Sequence, residues 1–353
     1  MRDTMKSYTS TITGILMLSQ MAIYSATVSS FPVISDGSDG AFNPTSSQTI
    51  NLNSIAPDGI FNFTTINIPT GVEIKFIRNT LNTSVFFGAT GDVTINGAIN
   101  VSAGNFNGIA GPGGGDGGAT GLIGSSGTGP SPGMGAPSST GVGNSGGGGG
   151  MATEGLTATQ YSDGNPALGG SAIVRPDLVS GVSGGGGSGG GGGGTGFRFG
   201  ELAGGAGGGG GGGLQIASLG NISIGGELLA IGGHAEWAFA NVLSHGGPGG
   251  GGSGGNIELF ANTITFEDTA LVDALGGAGG GLSTQPVANA PYVFSNLAHG
   301  GLGFLSLNGD TVIIDPNASI FAQTSIVPVP AAHLLFLSGL AGLLGMMRRR
   351  NFG

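Results

Sequence analysis

The chain contains no cysteine, so disulfides, thiolate metal centres and cysteine nucleophiles are excluded. Charge is almost as scarce, with 9 Lys and Arg and 19 Asp and Glu in 353 residues. Five of the cations, Arg2, Lys6, Arg348, Arg349 and Arg350, sit at the two ends, leaving Lys75, Arg78, Arg175 and Arg198 among 18 acids in between. Such a surface cannot neutralise phosphates in number, so no nucleic-acid partner is expected. Trp occurs once and Tyr four times, a poor stock for a dedicated sugar-binding platform. No strict Gly-X-Y period accompanies the 16 prolines, which removes the collagen triple helix.

What the chain has in excess is glycine, 81 residues, roughly three times the average usage of about 7%. That excludes an ordinary enzyme domain and concentrates the apolar residues in the remaining positions.

The two ends read as addresses. Residues 1–30 place Arg2 and Lys6 before an apolar stretch from Ile12 to Ile23 and close on the small residues Ser25, Ala26, Ser29 and Ser30. This is the order of a secretory signal peptide, with cleavage after Ala26 or after Ser30. The other end, 327–353, begins Val327-Pro328-Val329-Pro330-Ala331. It continues through 17 residues, 331–347, apolar but for His333 and Ser338, and stops at Arg348-Arg349-Arg350. Two prolines leave an extended strip. The following 17 residues reach about 25 Å as a helix, enough for a thin membrane core, and the arginines hold the end on the cytoplasmic side.

This tripartite tail resembles the PEP-CTERM sorting signal, in its Val-Pro-x-Pro-Ala variant, of exported proteins from Gram-negative bacteria that make extracellular polysaccharide. Val329 stands where the commonest motif has Glu. The resemblance covers about the last 27 residues. It implies recognition by an exosortase-like membrane transpeptidase, with Val327, Pro328, Val329, Pro330 and Ala331 as the sorting motif and Arg348, Arg349 and Arg350 as the stop-transfer. The inner membrane would then be a transient partner through 331–347.

Between the ends the pattern is one of short strands. Residues 31–103 alternate apolar and polar in runs of three to five bounded by Gly and Pro, as in Phe61-Asn-Phe63, Ile66-Asn-Ile68 and Val72-Glu-Ile74-Lys-Phe76. The cluster then recurs. Val93-x-Ile95, Ile222-x-Ile224, Ile264-x-Phe266 and Val312-x-Ile314 are each followed by a second apolar group, near Ile99, Leu228, Leu271 and Ile320. Leu214-Gln-Ile216, Ile257-Glu-Leu259 and Phe304–Leu307 precede the last three. Equal clusters at unequal spacing predict a parallel β-helix or solenoid, whose turns bury their side chains only against one another. Ile224 and Ile314 are expected in its core.

Residues 104–213 differ, with 47 glycines in 110 positions. Ordering those glycines alone costs about 50 to 90 kcal/mol at roughly 1 to 2 per residue, with no side chain to bury. The expectation is therefore long loops projecting from the turns, with further coils, at Ala172-Ile-Val174 or Phe197-Arg-Phe199, hidden among them.

No chemistry is well marked. Gly-x-Gly-x-x-Gly matches arise by chance in so much glycine, none opens a phosphate loop, and no cofactor is expected. His234, Glu236 and His245 are ligand types without ligand spacing, so no metal is expected and Trp237 and Phe239 should pack on the flank. Glu267, Asp268 and Asp273 are carboxylates that a sugar-cleaving β-helix would use, but corner acids are more often solvated turn residues.

The fold class expected is thus all-β, a parallel β-helix with long Gly-rich loops plus one C-terminal hydrophobic helix. Its stretches are 1–30, 31–103, 104–213, 214–326 and 327–353. The expected function is that of a non-enzymatic exported structural protein at the cell surface or in an extracellular polysaccharide matrix. A surface adhesin or glycan-binding module is the first alternative, and a polysaccharide lyase or hydrolase the second.

Overall fold

The computed structural model describes residues 35–121, 123–136, 144–158, 167–173, 204–240, 246–284 and 298–328. The first turn of the chain holds β1 (Ala41–Phe42), β2 (Gln48–Asn51) and the four-residue helix α1 (Leu52–Ile55). The second holds β3 (Ile60–Phe63), β4 (Thr65–Ile68) and β5 (Glu73–Ile77), and the third β6 (Val85–Ala89), β7 (Val93–Ile95) and β8 (Ala98–Asn100). After a long excursion come β9 (Gly213–Ser218), β10 (Asn221–Ile224), β11 (Glu227–Leu229) and β12 (Ala238–Ala240). Then follow β13 (Asn256–Phe266), β14 (Leu271–Asp273), β15 (Leu282–Thr284), β16 (Phe304–Ile314), β17 (Ser319–Phe321) and β18 (Gln323–Pro328).

Every pairing is parallel, and each strand lies beside its counterpart one turn later. One row runs β3, β6, β9, the first half of β13, the first half of β16, then β18. A second runs β1, β4, β7, β10 and the second halves of β13 and β16, and a third β2, β5, β8, β11, β14 and β17. This parallel β-sheet fold is compatible with a β-helix.

Period-two alternation explains the register. Ile66, Val93, Ile222 and Ile264 form one inward column and Ile68, Ile95, Ile224 and Phe266 the next, each at most 1% exposed. Shifting a strand by one residue would expose its whole column, at about 1.5–3 kcal/mol for each large side chain. At the early end the filling is aromatic: Phe42 stacks on Phe63 at 4.8 Å, and Phe61, Phe63 and Phe76 meet Phe87 edge-on at 5.2, 5.4 and 5.6 Å. Corners close on glycine because adjacent turns approach there, so that a Cβ on Gly226 would collide with the carbonyl oxygen of Gly97.

The glycine-rich stretches overturn the loop expectation. Residues 246–255 are buried throughout, and so are 204–213 except for half-buried Ala206. Their hydrogen bonds advance in threes. The N–H groups of Gly205, Gly208 and Gly211 donate to the carbonyls of Gly247, Gly250 and Ser253, each at 2.9 Å. Those of Gly207, Gly210 and Gly213 donate to Gly118, Gly115 and Pro112, at 2.8–2.9 Å. Gly249, Gly252 and Gly255 donate to Glu236, Gly233 and Ala230, and Gly232, Ala235 and Ala238 to Leu275, Ala278 and Gly281.

A three-residue period with no internal bond belongs to an extended, polyproline-II-like helix. Such rods aim successive N–H groups at different neighbours and so pack as a bundle. Glycine is required because the rods touch: a Cβ on Gly208, Gly211, Gly252 or Gly255 would run into the carbonyl oxygen of Gly233, Ala230, Gly209 or Gly212. The ordering cost is offset by backbone hydrogen bonds at about 0.5–1.5 kcal/mol each and by close backbone dispersion contacts.

The expected fold class therefore needs correction. The glycine-rich segments, where described, are packed rods leading into β9, β13 and β16 and out of β8, β11 and β14, not projecting loops. No coil is hidden among them in the stack, because Val93 pairs directly with Ile222 across 129 residues of sequence. Ala172 and Ile173 are not in a strand, and 197–199 lie outside the described residues. The C-terminal hydrophobic helix finds no support: among the described residues α1 is the one helix, and none is long and apolar enough to cross a membrane. Residues 331–347 lie outside the described residues, as do 1–30. Ile224 is in the core, but Ile314, in the last complete turn, is 38% exposed.

Candidate functional site

Val327 and Pro328 of the expected sorting motif are the last residues of β18, opposite Asn308 and Gly309 of β16. Val329, Pro330 and Ala331 lie outside the described residues, and so do Arg348, Arg349 and Arg350. The stretch expected to be the motif thus starts within the last described strand of the sheet.

The candidate metal group does not assemble. His234 and Glu236 leave the same rod toward different neighbours: His234 Nδ1 accepts the Ala278 N–H at 2.8 Å, and Glu236 Oε2 accepts the Ala206 N–H at 3.2 Å. His245 is outside the described residues, among which no group of three metal-ligating side chains occurs. Of the candidate carboxylates, Asp268 is exposed at the corner after β13, while Glu267 and Asp273 have local partners. Glu267 accepts from the Ser223 hydroxyl one turn back at 2.7 Å, and Asp273 accepts the Leu275 N–H at 2.9 Å. Asp92 acts likewise, accepting the Asn221 N–H of the next turn at 2.8 Å. Glu267 and Asp92 thus stitch turn to turn, while Asp273 closes its own turn.

Asp116 receives Arg78 through both carboxylate oxygens, one at 2.9 Å, and also the Ala110 N–H at 3.0 Å. This partly exposed pair ties the rod layer back to the strands after β5 and contributes at most about 1 kcal/mol.

Sequence reasoning missed two features. Glu258, the polar residue of Ile257-Glu-Leu259, is 1% exposed. Its carboxylate accepts from Asn256 Nδ2 at 2.9 Å and Gln215 Nε2 at 3.3 Å, and it stands opposite buried Ser306. The signal was available in the recurrence of polar residues at 256 and 258 and again at 306 and 308, of which 258 and 306 stand opposite each other. The second feature is an aromatic face. Trp237 is 52% exposed and lies on Gly281, where a Cβ would stand 2.9 Å from Cζ3. Phe106 is 51% exposed, its ring 5.9 Å from that of His234. Trp237 therefore packs on the neighbouring rod with half of its surface left open.

An open cavity of about 690 Å³ lies at the early end of the stack, lined by Phe42, Ile50, Phe61 and Phe63 with Asp39 and Asp58 at its margin. It is the mouth of the apolar interior, built from the same rings that fill the core. No family model, curated protein or solved structure matches the chain.

Proposed function

We propose that the protein is an exported, non-enzymatic structural component of the cell surface or of an extracellular polysaccharide matrix. An exosortase-like membrane transpeptidase delivers it by acting at Val327–Ala331. The observation that carries this reading is where the glycine goes. A large share of the sequence builds rods that interlock by backbone hydrogen bonds and continue directly into the strands, which is an investment in a scaffold. Corner acids serve the same end, holding one turn to the next.

The sorting step is tested by fractionation in a host that carries the cognate transpeptidase, with mass spectrometry of the mature C-terminus. Wild-type protein is expected outside the cell, ending within 328–332. Changing Pro328 and Pro330 to Ala should leave a full-length, membrane-bound precursor, and replacing the three arginines by Ser should let the tail pass uncleaved. Extracellular wild-type protein that still carries Arg350 refutes the reading.

A further inference from the structure

We propose that the outer face of the rods leaving β8 and β11, where Phe106, His234 and Trp237 are presented, binds a neutral polysaccharide. Phe106 is the first observation. It sits at the tip of a tight turn in which Gly104 N–H donates to the Ile109 carbonyl and Ile109 N–H to Asn107 Oδ1, both at 3.0 Å. Its φ of 58° is in the left-handed region, costly for a residue with a Cβ, and half of its surface is still exposed. The ring meets that of His234 at 5.9 Å and keeps its other half open, and backbone strain of this kind gathers at ligand contacts.

The rod supplies the rest. Ile231 and His234 both direct their N–H groups at the neighbouring rod, onto Ser102 Oγ at 3.0 Å and Asn105 Oδ1 at 3.2 Å. The three-residue period carries the same orientation on to Trp237. His234 and Trp237 therefore follow each other at about 9 Å along one edge, three residues at roughly 3.1 Å. His234 reaches across to Ala278 and Trp237 to Gly281, again three residues apart. Because Nδ1 of His234 accepts a hydrogen bond, the neutral ring carries its proton on Nε2 as a donor. Asn105 and Asn107 are exposed beside the Phe106 ring.

Rings that offer a face, set among amide and imidazole donors, match a pyranose, whose C–H faces stack while its hydroxyl edges hydrogen-bond. The surface is a row on flat rods and not a pocket, which suits a polymer. Charge selects the class: among the described residues Asp116, Glu236 and Asp273 are the acids on these rods and on β14 beside them, and the Arg that meets them, Arg78, is already paired with Asp116, so an acidic polymer is repelled. The inference relies on the exported reading only for where the polymer is met. Binding is measured on the protein itself and does not depend on the outcome at the C-terminus.

Trp237 is the single tryptophan of the chain, so its emission reports on this face alone. The full chain would be titrated with three soluble neutral polymers, a β-1,4-glucan, an α-1,6-glucan and a β-mannan, and with polygalacturonate as the acidic arm. At least one neutral polymer is expected to shift the emission to the blue, saturably, and polygalacturonate to leave it unchanged. Phe106→Gly relieves the left-handed backbone while removing the ring. Its thermal midpoint should stay level or rise while affinity falls at least tenfold. Trp237→Ala should abolish retardation in gels containing the same polymer. Emission unmoved by all three neutral polymers, equal response to polygalacturonate, or unchanged affinity in Phe106→Gly would each overturn the proposal.

Discussion

A methyl group is too large at Gly252, where a Cβ would collide with the carbonyl oxygen of Gly209, and a charge is too costly at Ile224, which is fully buried between Ile95 and Phe266. The two sites belong to the two packing systems of the molecule, backbone against backbone and side chain against side chain. Gly252→Ala forces rods apart that share hydrogen bonds on several sides, and an overpacking cost of about 1–3 kcal/mol follows. Ile224→Asp buries an unpaired carboxylate and should cost several kcal/mol. Ile314→Asp, at a partly exposed column end, should cost well under half as much. Thermal unfolding of the three variants ranks them. An Ala at 252 with no effect would show that the rods are not in contact.

The strand elements were legible in the sequence, since Val93-x-Ile95, Ile222-x-Ile224, Ile264-x-Phe266 and Val312-x-Ile314 stand in direct register. Their partners are identified by side chains, and alternation exposes those side chains to reading. The rods were not legible, because the groups that pair them, N–H and C=O, are the same at every residue and leave no mark on sequence. What marks them is the placement of the few residues that are not glycine. In 204–213 the exception is Ala206, half-buried, with Gly205 beside it facing the Glu236 carbonyl oxygen. Inserting one glycine within 207–213 moves Ala206 into the place of Gly205 and drives its Cβ into that oxygen. Inserting three moves Ala206 back by one full turn and keeps its face. The single insertion should therefore lower stability by about 1–3 kcal/mol and the triple insertion by less, an order that a flexible loop would not produce. The exposed aromatic face was half legible: Trp237 was singled out, but its exposure depends on Gly281 in another rod, which no local pattern reports.

For the whole molecule, the excursion between β8 and β9 separates Val93 from Ile222 by 129 residues, against 27 between Ile66 and Val93. Closing the longer connection costs only about 1.4 kcal/mol more, at roughly 0.6 per doubling of length, so the insertion is thermodynamically cheap but delays the docking of the fourth turn on the third. Once docked, rods and turns cannot open separately. Residues 204–213 run into β9, 246–255 into β13 and 298–303 into β16, while the N–H groups of Gly211, Gly254 and Gly255 are held by carbonyls of Ser253, Gly301 and Ala230 on other turns. Freeing one rod means parting its neighbours, and parting its neighbours breaks the ladder between consecutive strands. Amide exchange should thus be as slow in peptides covering 204–213 and 246–255 as in those covering β9 and β13, and all four should lose protection in one transition as denaturant rises. Mass spectrometry of deuterium uptake decides it: glycine peptides exchanging at the rate of an unstructured chain while the strands stay protected would separate the two systems and dissolve the bundle.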